Sequence, residues 1–181
     1  MRDTPCDSSD PDPPDQVRGR WPRRDCFGRP YAAEMSSAQE AFRAMLKEHV
    51  APSLRALGFK GSGQNYQLPS DTHWALVGFQ KSEFSDSETI TFTINLQVIR
   101  RSDWDEARRE SPWMGERPTA TTTWGLSLAW SKRIGQLTPS GEDLWWTFRA
   151  GTDTTQLAGA VLWAIEDFAL PAIREQLGRS A

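Results

Sequence analysis

The sequence is poor in the residues that most enzyme chemistry relies on. It has two cysteines, two histidines and two tyrosines in 181 residues. Both cysteines, Cys6 and Cys26, lie near the N-terminus, and the stretch from Phe27 to Ala181 has none. That stretch therefore cannot form a structural disulfide, a thiolate zinc site or a cysteine nucleophile. His49 and His73 cannot supply a three-histidine metal centre, and no motif places either in a catalytic triad. Positive charge is not in excess either. The 21 Lys+Arg face 24 Asp+Glu, a formal net charge of −3, so no cationic field draws a polyanion. Mean hydropathy is −0.61, and no window is expected to reach the roughly 20 apolar residues of a membrane helix. No apolar signal-peptide core stands at the N-terminus. These absences predict a cytoplasmic protein with no metal, no cofactor, no nucleic acid and no membrane among its partners.

Residues 1–34 read as a disordered, low-complexity extension. The run Asp7-Ser-Ser-Asp-Pro-Asp-Pro-Pro-Asp15 has nothing to bury that would offset its ordering entropy. Arg18, Arg20, Arg23 and Arg24 follow around Trp21, and as a functional feature would form a small basic arm. Met35 stands directly before the first helix signal, which raises the reading that translation starts there; the intact mass of the native protein tests it. Residues 35–181 then read as a single domain.

Its predicted elements run helix, strands, helix. Ser37-Ala-Gln-Glu40 is a capping box, and Phe42, Met45, Leu46 and Val50 recur at helical spacing. Pro52 should kink or restart that helix, and Gly58 should cap it. Strands are expected over Gly61–Leu68, Trp74–Ser82, Thr89–Arg100, Thr122–Trp130 and Leu144–Arg149. The third is the clearest, because Ile90, Phe92, Ile94, Leu96 and Val98 alternate with polar residues over ten positions. Trp74–Ser82 and Thr89–Arg100, joined by a polar turn, predict an antiparallel hairpin. Ser102–Thr121 has no periodicity and reads as a long loop, a type that is usually functional or disordered. Asp153-Thr-Thr-Gln156 opens a final helix as a variant capping box, and Pro171 should kink or break it. The expected fold is α+β: an antiparallel sheet of about five strands with an N-terminal and a C-terminal helix on one face.

Five short motifs stand in a fixed order: Leu57-Gly-Phe-Lys60 after a helix, Phe79-Gln-Lys-Ser82, Phe92-Thr-Ile-Asn95, Arg133-Ile-Gly135 and Trp145-Trp146. In order and spacing they resemble the bacterial domain-of-unknown-function family 4304, from about Ala41 to Leu177. The resemblance implies a small stand-alone bacterial domain. It carries no catalytic residues over, because the family has no assigned activity. Residues 1–34 have no counterpart in the pattern.

Several groups invite a chemical reading and have a plainer one beside it. Asp103-Trp-Asp105-Glu106 offers hard oxygen ligands without cation-loop spacing, and reads as a solvated loop. Gly61-Ser-Gly63 lacks the third glycine and the following helix of a nucleotide fingerprint. His73 could act as a general base only with a carboxylate beside it. Gln80, Ser82, Asn95 and Gln97 would either line a cleft or form the wet face of a one-sided sheet. Trp145 and Trp146 are adjacent on a strand and must point to opposite faces. Trp113, with Arg117 nearby, is composed like a binding hot spot, or else like a small cluster under a loop. Residues 35–181 carry 15 Lys+Arg against 17 Asp+Glu, so no basic stripe supports single-strand stacking.

Two functions fit. The first is a non-catalytic protein-interaction module, immunity-like by analogy of class, using the polar sheet face and Trp113 and Arg117 to hold a protein partner. The second is a small-molecule or carbohydrate-binding domain, or an enzyme, using His73, Gln80, Ser82, Asn95 and Arg133. The two separate on whether those residues converge in a concave pocket.

Overall fold

The computed structural model describes residues 37–121, 127 and 129–179. The extension 1–34, Met35, and most of the expected strand 122–130 with Trp124, Leu126 and Leu128 lie outside the described residues.

The first helix, α1, runs as Ala38–Met45, a π turn Leu46–Val50, and Ala51–Ala56. Its capping box forms as the sequence suggests: Glu40 N–H donates to Ser37 Oγ at 3.3 Å, and Ser37 N–H donates to Glu40 Oε2 at 2.9 Å. Pro52 does not break α1. A proline lacks the N–H that binds the fourth carbonyl back, and its ring collides with that carbonyl. The wider π turn just before Pro52 shifts the hydrogen-bond register there, and the helix continues. The C-terminal helix uses the same device. It runs 24 residues, Thr155–Gly178, with a π turn at Ile165–Ala169 immediately before the segment that carries Pro171. Its start differs from the expected capping box. Asp153 Oδ1 accepts from Thr155 N–H at 2.9 Å and from Thr155 Oγ1 at 2.7 Å, with no reciprocal bond from Gln156. By length and composition this helix could cross a membrane, contrary to the sequence reading, but Val161, Ala164, Ile165 and Ile173 are buried in the domain core.

Among the described residues six strands form the sheet: β1 Lys60–Ser62, β2 Asn65–Leu68, β3 His73–Lys81, β4 Thr89–Arg100, β5 Trp130–Arg133 and β6 Trp146–Arg149. All pairings are antiparallel, in the order β1-β2-β3-β4. The expected single strand at 61–68 is instead a hairpin, turned at Gly63 and Gln64. Gly61, at φ +144°, leaves no room for a Cβ against the Asn65 carbonyl. The far edge of β4 is shared. β5 pairs with Asn95–Val98 and β6 pairs with Thr89–Phe92, so the two strands lie end to end along one edge. Between them Thr93, fully buried, donates its hydroxyl to Leu144 O at 2.8 Å.

Alternation on β3 and β4 decides the layers. Ala75, Val77, Phe79, Ile90, Phe92, Ile94 and Leu96 face α1 and the C-terminal helix and form the main core. Phe92 lies at its centre, 5.0 Å from the Phe42 ring and 5.6 Å from the Trp146 ring. Burying each such side chain contributes roughly 1.5–3 kcal/mol.

The opposite face is not simply wet. Arg101–Glu110, expected as loop, forms a helix, α2, with Trp104 buried. Trp74, Leu76, Ile99, Trp104 and Ala120 form a second, smaller core on this face. The Asp103–Glu106 carboxylates thus lie on a helix, where Asp105 pairs weakly with Arg108 at 3.8 Å. Among the described residues, no three metal-ligating side chains gather.

Candidate functional site

Among the described residues, the second core covers one end of the outer sheet face. Arg101 anchors it: its guanidinium lies 3.9 Å from the Trp74 ring centre and donates to Ser70 O at 2.9 and 3.2 Å. The segment 117–121 then crosses the face with Ala120 above Gly78. A Cβ on Gly78 would sit 2.8 Å from the Ala120 Cβ, so glycine lets the segment lie flat on β3.

Beyond this segment the face opens into a trough of about 690 Å³. Its floor is polar because the outward positions of β3, β4 and β5 are Gln80, Asn95, Gln97, Ser131 and Arg133. Register places Asn95 opposite Arg133 and Gln97 opposite Ser131. Asn95 Nδ2 donates to Gln80 Oε1 at 2.6 Å, which orients both carboxamides. Gln97, 2 % exposed, also lies in the floor.

The wall opposite Ala120 and Thr121 is the segment between β5 and β6. It leaves β5 through a short 3₁₀ turn, Ile134–Leu137, and returns at Asp143. Arg133 NH1 donates to Asp143 Oδ2 at 2.6 Å, and Trp145 Nε1 donates to the same oxygen at 2.9 Å. The Arg133 guanidinium also lies 5.2 Å from the Trp145 ring centre. Arg133 N–H donates to Gln136 Oε1 at 3.1 Å. One carboxylate therefore fixes a cation and an indole together at the trough's edge. The ion pair is about half exposed and contributes little to stability, so its value lies in orientation.

Of the residues expected to form a site, Gln80, Asn95 and Arg133 come together here. Ser82 does not. It follows the end of β3, where its hydroxyl accepts from Phe84 N–H at 3.3 Å and holds the turn to β4. His73 does not either. It starts β3 at the opposite end from Gln80, is buried, and has Nδ1 2.8 Å from Thr72 Oγ1. Burial, and then the Arg100 charge, hold its pKa below the usual value, against an opposing pull from Asp103. Trp113, 61 % exposed, lies outside the trough lining. Arg117 lines a smaller groove of about 270 Å³ with Lys60, Gln67 and Pro118, and lies 5.9 Å from the Trp74 ring centre. Trp145 and Trp146 do part, although β6 starts only at Trp146 and not at Leu144 as expected: Trp146 packs on the main core and Trp145 turns to Asp143. Asp143 was missed. It lies in a turn whose sequence carries no sign of what it will face.

A family model described as "Domain of unknown function (DUF4304)" matches residues 50–175. The match spans every strand, the last turns of the first long helix and most of the second, and so includes the whole trough. No curated protein and no solved structure matches the chain. The chain belongs to this domain-of-unknown-function family.

Proposed function

We propose that this member of the family is a non-catalytic binding module whose ligand is a small polar molecule held in the trough. The observation behind this reading is the convergence of Gln80, Asn95 and Arg133, from three strands, on one concavity of about 690 Å³. That is within the usual size of small-molecule sites, roughly 300–1,000 Å³. The lining favours binding over catalysis. Among the described residues its polar side chains are carboxamides, hydroxyls, Lys132, Arg133 and one carboxylate, and that carboxylate is engaged by Arg133 and Trp145. General acid–base chemistry needs a group in reach that is free to exchange a proton.

The test is an NMR screen of the ¹⁵N-labelled full chain against a library of polar metabolites. Saturable hits should shift the side-chain amides of Gln80 and Asn95 and the Trp145 indole N–H. Hits that move only signals elsewhere would refute the site.

A second reading keeps a protein partner. Its observation is Trp113, 61 % exposed in the segment that leads to Arg117. Trp and Arg are the usual anchors of protein interfaces. If alanine at both positions leaves partner capture unchanged, this segment is not the contact surface.

A further inference from the structure

We infer that the trough's ligand is a neutral, hydroxyl-rich molecule of the saccharide class, held between the Arg133–Asp143 pair and the Gln80–Asn95 pair. The inference rests on reading the trough as the binding site.

Charge is the first argument. Arg133 already has its counter-ion, with NH1 2.6 Å from Asp143 Oδ2. An anionic ligand would have to compete with that carboxylate for the cation. Lys132, the other cation of the lining, is exposed at the rim, where water screens it.

Hydrogen-bond valence is the second. Asn95 Nδ2 uses one hydrogen on Gln80 Oε1. The Gln80 Nε2 donor and the Asn95 Oδ1 acceptor make no other bond among the described residues. Asp143 Oδ2 accepts from both Arg133 and Trp145, which leaves Oδ1 as an acceptor beside the remaining N–H donors of Arg133. Each pair thus presents a donor next to an acceptor. A hydroxyl is both at once, so neighbouring hydroxyls satisfy such pairs, whereas a carboxylate or phosphate, which only accepts, leaves the acceptors unpaired and desolvated.

Shape is the third. Among the described residues, the apolar members of the lining are Ala120, Ala129 and Gly141, all of them small. Small residues there leave room for a compact frame, and the polar side chains around them supply directional contacts. Trp145 acts here as a positioning residue, since it aims Asp143.

The experiment titrates the ¹⁵N-labelled full chain with D-glucose, N-acetyl-D-glucosamine and maltose, and in parallel with glucuronate and glucose 6-phosphate. The Trp145 indole N–H and the Gln80 and Asn95 amides report. We expect saturable shifts with at least one neutral sugar and at least tenfold weaker binding of its anionic counterpart. Asn95→Ala should weaken the neutral sugar tenfold or more. Asp143→Asn should release the Arg133 charge and invert the preference towards glucuronate. Melting curves of both variants, expected close to the parent, separate lost binding from lost fold. Tighter binding of the anions by the unchanged protein would overturn the ligand class and leave the trough as a site. So would silence from every sugar while other polar metabolites still shift the trough signals. Silence from all of them would overturn both readings.

Discussion

Replacing Gly135 with alanine tests how the trough wall is built. Gly135 lies just after β5, and its backbone passes against the returning chain. A Cβ there would overlap the Glu142 carbonyl oxygen and the Leu144 amide nitrogen, and would stand 2.8 Å from the Leu144 Cβ. Two of those three neighbours are backbone, so no rotamer change relieves the collision, and the segment 142–144 must move. Overpacking of this kind costs about 1–3 kcal/mol. Moving Leu144 also stretches its bond from the fully buried Thr93 hydroxyl, and leaving that group unpaired costs about 1–3 kcal/mol more. The two terms share one displacement and do not simply add, so about 3 kcal/mol is expected. For a domain of this size that lowers Tm by roughly 6–12 °C. Gly141→Ala is the control. Gly141 has φ +67° and nothing within 4 Å of a Cβ, so it should cost only the left-handed strain, about 1–2 kcal/mol. The assay is thermal unfolding of both variants by circular dichroism. If Gly135→Ala melts within 2 °C of the parent, or no lower than Gly141→Ala, the close-approach argument fails.

Other outcomes follow from single groups. Gly159→Ala, in the C-terminal helix with open space around it, should stabilise by about 0.5–1 kcal/mol through helix propensity, read as a raised urea midpoint. Tyr66→Phe should cost nothing, because the buried Tyr66 hydroxyl has no hydrogen-bond partner among the described residues; a loss above about 1 kcal/mol would mean that it has one. His73 has a folded pKa below its ordinary value of 6.5, so the unfolded chain binds its proton first as pH falls. Its contribution is intact above pH 6.5, declines as pH drops through that value, and levels off once the folded imidazole also protonates. Urea denaturation at pH 7.5 and pH 5 should therefore show a smaller loss for His73→Gln than for the parent; equal losses would contradict the burial argument.

Much of the main sheet was legible because its pattern is local. β4 has the bounds that alternation predicts, since ten residues of period two admit one assignment. Both long helices were also legible, yet each proline was expected to disturb its helix. A one-turn change of register leaves no trace in hydrophobic spacing. α2 was invisible because it buries one residue, Trp104, and one residue defines no stripe. The second core did leave a signal. Trp74-Ala-Leu-Val77 on β3 and Val98-Ile99 on β4 are apolar on both faces, which a one-sided sheet does not explain. The site was half legible. Gln80 and Asn95 follow from strand parity, but the partnership of Arg133 with Asp143 depends on β5 and β6 sharing one edge, a long-range choice that no spacing encodes.

That shared edge has a consequence for how the domain can change. The chain from Ile134 to Trp145 is an excursion from a nearly continuous edge, with β5 and β6 each held to β4 by its own ladder. Residues added near Ser140 would lengthen the excursion without shifting either register. The closure entropy of such a loop grows only by about 0.6 kcal/mol per doubling of length. The tip near Ser140 can therefore be lengthened at little cost in stability, provided that Ile134, Gly135 and Leu144 keep their packing. Relatives can thus vary the rim near Ser140 while keeping the same helices and sheet, whereas Gln80 and Asn95 stay fixed on the strands that carry the core.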